Sequence, residues 1–169
     1  MEPVAVGLVG AGPWAEMAHA PMLARGRLAG VWARRPESAA RLGAPVFERI
    51  EELFDACEAV AFSVPPAVQA ELGVLAARAG KALLLEKPLA DSLDNAQRLA
   101  DAVAEAGVAS QMVLTMRYAP QTRAFLARCG EIQAFGATPR TSPAPSSATT
   151  PSPPRGGSSA ARCSTSART

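Results

Sequence analysis

Five short apolar runs, VAVGLVG (4–10), LAGVWA (28–33), EAVAFSV (58–64), KALLLE (81–86) and VASQMVLT (108–115), alternate along this chain with longer stretches of helical periodicity. The runs are almost continuously apolar. A strand that alternates apolar and polar residues has one wet face, whereas a continuous run needs cover on both, as in a parallel sheet flanked by helices. Helical stretches fall at 13–25, 36–42, 49–55, 66–79, 92–106 and 119–129. Pro13 and Pro66 stand where first-turn prolines are tolerated, and Gly26, Gly80 and Gly107 stand where helices stop. Start and stop signals thus agree with the periodicity. Together they predict an α/β fold, a Rossmann-type doubly wound parallel sheet, over residues 1–136.

Composition narrows the class further. A hydrophobic content of 49 % in 169 residues suffices for a core. No run approaches the ~20 apolar residues of a membrane span, and the start lacks a signal-peptide pattern, so a soluble cytoplasmic protein with no membrane partner is expected. Cys57, Cys129 and Cys163 show no metal-ligand spacing, and their odd count speaks against a disulfide framework; no metal is expected. The net charge of +2 is unevenly spread: residues 1–136 carry 13 basic and 15 acidic side chains, and residues 137–169 carry four arginines and no acid. The body therefore gives no footprint for nucleic acid.

The first run leads directly into Gly10-Ala11-Gly12-Pro13-Trp14, with Ala15 in the third small-residue place. Glycines between a strand and a helix permit a tight turn and close backbone approach, and the helix start offers free N–H groups to a diphosphate. Glycine pairs also occur in ordinary strand–helix turns; the position after a strand and before a helix favours nucleotide binding. About 20 residues on, where an acid usually holds a ribose hydroxyl for NAD, the chain has Ala33 followed by Arg34 and Arg35. Guanidinium forks suit a 2′-phosphate, so NADP is expected over NAD, the alternative being two solvated arginines.

KALLLEKPLA sets Glu86-Lys87-Pro88 at the carboxyl end of a strand, where open α/β sheets place ligands. A lysine there can donate to a substrate oxygen and relay a proton, with Glu86 near enough to influence its charge. GLVGAGPWAEMAHAPML, AVAFSVPPAVQAEL, AGKALLLEKPLA and MRYAP, in this order and spacing, resemble the nucleotide-binding half of the Gfo/Idh/MocA oxidoreductases, the family of glucose-fructose oxidoreductase and inositol dehydrogenase. The resemblance runs from about residue 3 to 136. It implies oxidation or reduction of a hydroxyl on a sugar, polyol or cyclitol with hydride exchange at a nicotinamide.

It further implies that Lys87 is catalytic, that Glu86 and Pro88 shape the nicotinamide pocket with a Lys-Pro bond often cis, and that Ser63-Val64-Pro65-Pro66 line the cofactor. Gln69 departs from a histidine common in the family, and Ala33 from the usual acid. His19, the chain's one histidine, reads as a partly buried helix residue without chemistry; Arg117 and Tyr118 are candidates to face the cleft. Family members continue into a β domain that supplies a DxxxH histidine and usually determines substrate, stereochemistry and oligomeric state.

After GEIQAFGA the composition changes. Residues 137–169 hold eight Ser, six Pro, six Thr, six Ala and four Arg, without Leu, Ile, Val, Phe, Met, Trp or Tyr. Such a segment buries too little apolar surface to offset chain entropy, so a disordered tail is expected. A natural linker is one origin. A shifted reading frame is another: 15 arginines against two lysines suggest a GC-rich gene, and regrouping the codons of SAARCSTSART with suitable third bases yields GGALLDVGPH, which carries Asp and His in the DxxxH spacing. On that reading the chain is a nucleotide-binding half with little activity of its own. The rival reading is a stand-alone NADP-binding or sensing module; a third is an unstable product that aggregates through the face the missing domain would cover.

Overall fold

The computed structural model describes residues 2–129. The expected disordered tail, 137–169, lies outside them. The six strands are β1 (Ala5–Val9), β2 (Arg27–Trp32), β3 (Val46–Phe47), β4 (Ala59–Phe62), β5 (Ala82–Leu85) and β6 (Ser110–Met112). All pairings are parallel and the sheet order is β3-β2-β1-β4-β5-β6, so the doubly wound fold is observed. Between β1 and β2 a π-helical turn, Ala15–His19, runs into α1 (Ala20–Leu23). The other crossovers carry α2 (Pro36–Ala40), α3 (Ile50–Asp55), α4 (Pro66–Arg78) and α5 (Leu93–Ala106); a 3₁₀ turn (Thr115–Tyr118) and α6 (Pro120–Cys129) follow β6.

Each predicted strand and helix is observed, with ends displaced by up to three residues: most are trimmed, and β2 begins one residue earlier, at Arg27. β3 had no counterpart in the periodicity. At two residues it is too short for any periodic signal, and it is held by position: Val31 N–H donates to Pro45 O at 2.8 Å, and Phe47 packs over Gly30, where a Cβ would collide with the ring.

Neighbouring strand residues feed opposite faces of the sheet. Val9, Val60, Phe62, Leu83 and Leu85 join Leu53, Phe54, Val74 and Leu99 from α3, α4 and α5 in one core. Leu8, Val31 and Ala61 meet Ala15, Ala20 and Ala39 in the other. The second core is built largely of alanines, which lets the first helix sit close to the sheet. α5 begins at Ser92, whose hydroxyl accepts from Asn95 N–H at 3.2 Å, and stops at Gly107, left-handed at φ 64°.

Phe62 is the largest fully buried side chain and sits mid-sheet on β4. Phe62→Ala should cost about 3–5 kcal/mol of unfolding free energy, checked by urea denaturation.

Candidate functional site

Because the strands are parallel, Gly10, Ala33, Ser63 and Glu86, each the residue after its strand, lie along one edge of the sheet. β1 sits between β2 and β4, so the strand order reverses there and a crevice opens beyond the carboxyl ends. Gly10 has φ 109°, its N–H donates to Trp32 O at 2.8 Å, and a Cβ on it would run into the Ser63 carbonyl. Only glycine lets the β1 turn press against β4 in this way. Gly12 differs: a Cβ there would meet nothing within 4 Å. Its hydrogen faces open space, and among the described residues the N–H groups of Ala11 and Gly12 donate to no backbone partner. A bare, concave, donor-rich turn of this kind fits a diphosphate.

Two hollows adjoin at this turn. One, about 210 Å³, is lined by Gly10, Ala11, Gly12, Trp32, Ala33, Arg34, Arg35, Ser38, Ser63, Val64, Pro65 and Val68. The other, about 450 Å³, is lined by Gly12, Pro13, Trp14, Ser63, Val64, Pro65, Glu86 and Lys87. Gly12 and Ser63-Val64-Pro65 belong to both, so a single trough runs from the exposed Arg34 and Arg35 past the glycine turn to Lys87. Gly10, Gly12, Pro13, Trp14, Arg34, Arg35, Ser63, Pro65, Glu86 and Lys87 line this trough, whereas Pro66 and Pro88 line neither hollow. Arg117 and Tyr118 also lie outside it; both are exposed on the 3₁₀ turn after β6 and line neither hollow.

Glu86 is the electrostatic hinge of the trough's lysine end. Its Oε1 accepts from Trp14 Nε1 at 2.7 Å and from His19 Nε2 at 2.9 Å, and its Oε2 accepts from Lys87 N–H at 3.2 Å. Trp14 and His19 stand edge-to-face, ring centroids 6.4 Å apart. Burial pushes the Glu86 carboxyl up, but the hydrogen bonds from Trp14, His19 and the Lys87 amide, with the His19 charge, outweigh it and hold the group below its ordinary value. His19 is therefore a buried helix residue, as expected, with a partner that the sequence did not disclose. The Lys87 ammonium forms no ion pair among the described residues, so Glu86 reaches Lys87 through the backbone amide. The Lys87-Pro88 peptide is cis.

Sequence reasoning missed Gln69 as a working residue. It is buried in the first turn of α4, and its carboxamide binds the backbone of the Glu86–Leu89 segment. Among the described residues no cluster of three His, Cys, Asp or Glu side chains is arranged to hold a metal, and no helix is long and apolar enough to cross a membrane.

Sheet order, glycine turn and trough define a dinucleotide-binding α/β domain. The chain belongs to the Gfo/Idh/MocA oxidoreductase family: residues 4–114 match that family's model, described as an NAD-binding Rossmann fold. Nicotinamide dinucleotide is thus the ligand of the domain. Among solved structures, the chain is 28 % identical to KijD10, a 3-ketoreductase from Actinomadura kijaniata in complex with TDP-benzene and NADP, with a TM-score of 0.68 over 77 % of this chain and 44 % of that one. GenD2 from gentamicin A biosynthesis, in complex with NAD, is 29 % identical, with a TM-score of 0.68 over 75 % of this chain and 39 % of that one. UDP-N-acetylglucosamine 3-dehydrogenase GnnA from Acidithiobacillus ferrooxidans is 25 % identical, with a TM-score of 0.71 over 81 % and 45 %. The chain therefore spans less than half the length of these structures. No curated protein sequence matches it.

The lowered Glu86 carboxyl has a consequence for acid stability. A group with a depressed pKa in the folded state stabilises fully above its unfolded pKa and stops doing so as pH falls through the folded one. Below the ordinary value of 4.5, the melting temperature should drop more steeply for the native chain than for Glu86→Gln, measured by thermal denaturation from pH 5 to pH 3.

Proposed function

We propose that this chain is the cofactor-holding half of an oxidoreductase that interconverts a hydroxyl and a ketone on a sugar, with NADP preferred over NAD. The observation that carries the reading is the unbroken trough from two arginines, past a glycine turn, to a lysine; among the described residues the arginines and the lysine form no ion pair and the turn's Ala11 and Gly12 amides have no backbone partner. Ala11 and Gly12 amides take the diphosphate; Ser63 and Pro65 form the floor; Pro13 and Trp14 wall the lysine end. Arg34 and Arg35 reach a 2′-phosphate, and no acid lines that hollow to repel it.

When bound, the nicotinamide supplies or accepts the hydride. Lys87 donates a hydrogen bond to the substrate oxygen and moves its proton, and Glu86 holds the backbone at Lys87 against the first helix. A sugar carried on a nucleotide is the substrate class in view, because GnnA acts on UDP-N-acetylglucosamine and KijD10 is a 3-ketoreductase seen with a TDP compound. Residues 137–169 read as an out-of-frame segment on the strength of their composition and the regrouped GGALLDVGPH. Genomic sequence through these codons should reveal an apolar-patterned β domain in an alternative frame; no open alternative frame refutes it.

Calorimetric titration tests the cofactor reading. The chain should bind NADPH more tightly than NADH. Gly12→Val should abolish both affinities with little change in melting temperature, because its side chain enters only open space. Arg34→Ala with Arg35→Ala should weaken NADPH by about ten- to a hundredfold and leave NADH nearly unchanged, since a charge-assisted phosphate contact contributes on the order of 1.5–3 kcal/mol. Equal loss for both cofactors would contradict the 2′-phosphate assignment.

A further inference from the structure

The segment that carries Lys87 is irregular. Between Leu85, the last residue of β5, and the Ser92 cap of α5, residues 86–91 make no backbone-to-backbone hydrogen bond among the described residues. Lys87 itself is exposed and forms no ion pair among the described residues, so none of them fixes its tip. The direction of its side chain is therefore set by the backbone beneath it.

That backbone is gripped by one side chain. Gln69 is 1 % exposed. Its Oε1 accepts from Glu86 N–H at 2.8 Å; its Nε2 donates to Glu86 O at 2.8 Å and Leu89 O at 2.9 Å, and lies 3.3 Å from Pro88 O. An amide offers two donors and an acceptor, and here all are spent on residues flanking Lys87. The carboxamide supplies the pairing that a strand neighbour would otherwise give. Its own helix starts at Pro66, directly after the Ser63-Val64-Pro65 floor of the trough, so floor and lysine segment are tied through a single rigid turn.

We infer that Gln69 is the positioning residue for Lys87, fixing the ammonium toward the nicotinamide end of the trough. The inference rests on the cofactor reading above. An apolar replacement leaves the Glu86 N–H and two carbonyls buried without partners, and the segment must reorganise to rehydrate them. A histidine of either tautomer offers one donor and one acceptor, enough for half of the grip.

The chain's only lysines are Lys81 and Lys87, which makes a local test available. Lys81 donates to Cys57 O at 3.1 Å at the start of β5 and serves as an internal reference. With both amines ¹³C-dimethylated, Gln69→Leu should move the Lys87 methyl signal toward its free-peptide position and cancel its response to NADPH, leaving the Lys81 signal in place. Affinity for NADPH should fall about tenfold, while 2′-phospho-ADP-ribose, which lacks the nicotinamide, should bind within about twofold of the native value. Gln69→His should show the same changes at intermediate size, and it carries the comparison if Gln69→Leu does not fold.

An unaltered Lys87 signal with an unaltered affinity ratio overturns the inference. Equal loss for both ligands also overturns it, marking Gln69 as a general core residue. Failure of the native chain to bind either ligand overturns the cofactor reading instead, so the two failures are distinguishable.

Discussion

Parallel pairing makes the chain leave every strand at the same edge, and the rest of this molecule follows from how the resulting turns share that edge. The turns are crowded where β1 lies between β2 and β4. There the β1 turn must fold back against the β4 turn, and only a residue without a side chain, Gly10, passes beneath the Ser63 carbonyl. The same crowding leaves the next amides, of Ala11 and Gly12, without a backbone partner among the described residues. A ligand site thus arises from the geometry of strand exit, before any side chain is chosen to decorate it.

Side chains then do what secondary structure cannot. The turn after β5 has no ladder to join, and its groups are taken up by Gln69 from α4 and by Trp14 and His19 from the first helix. The two attachments differ in kind. Gln69 offers a neutral grip, indifferent to pH, whereas the Glu86 carboxylate draws its donors by charge as well as by hydrogen bonding. Together they hold the strand end from both sides while leaving the Lys87 ammonium without a carboxylate partner among the described residues.

The central strands and the glycine turn were legible in the sequence because their causes are local: continuous apolar runs, a Gly-Ala-Gly turn, prolines and glycines at helix ends. β3 was not, because Val46–Phe47 owes its strand conformation to Pro45 O and Gly30 across the sheet, not to its own residue pattern. The roles of Gln69 and His19 were hidden for the same reason on a larger scale. Gln69 read as a departure from a family histidine, yet its partners lie 17 to 20 residues on. His19 meets Glu86 across 67 residues, a separation over which no spacing rule operates.

The sheet's margins are short. β3 and β6, at its two ends, contribute two and three residues. An edge that brief offers a foreign strand almost no unpaired backbone to register against, so lateral fusion of one sheet with another is disfavoured by length alone. The long, apolar strands that would template such growth are all sealed inside, each with a neighbour on either side.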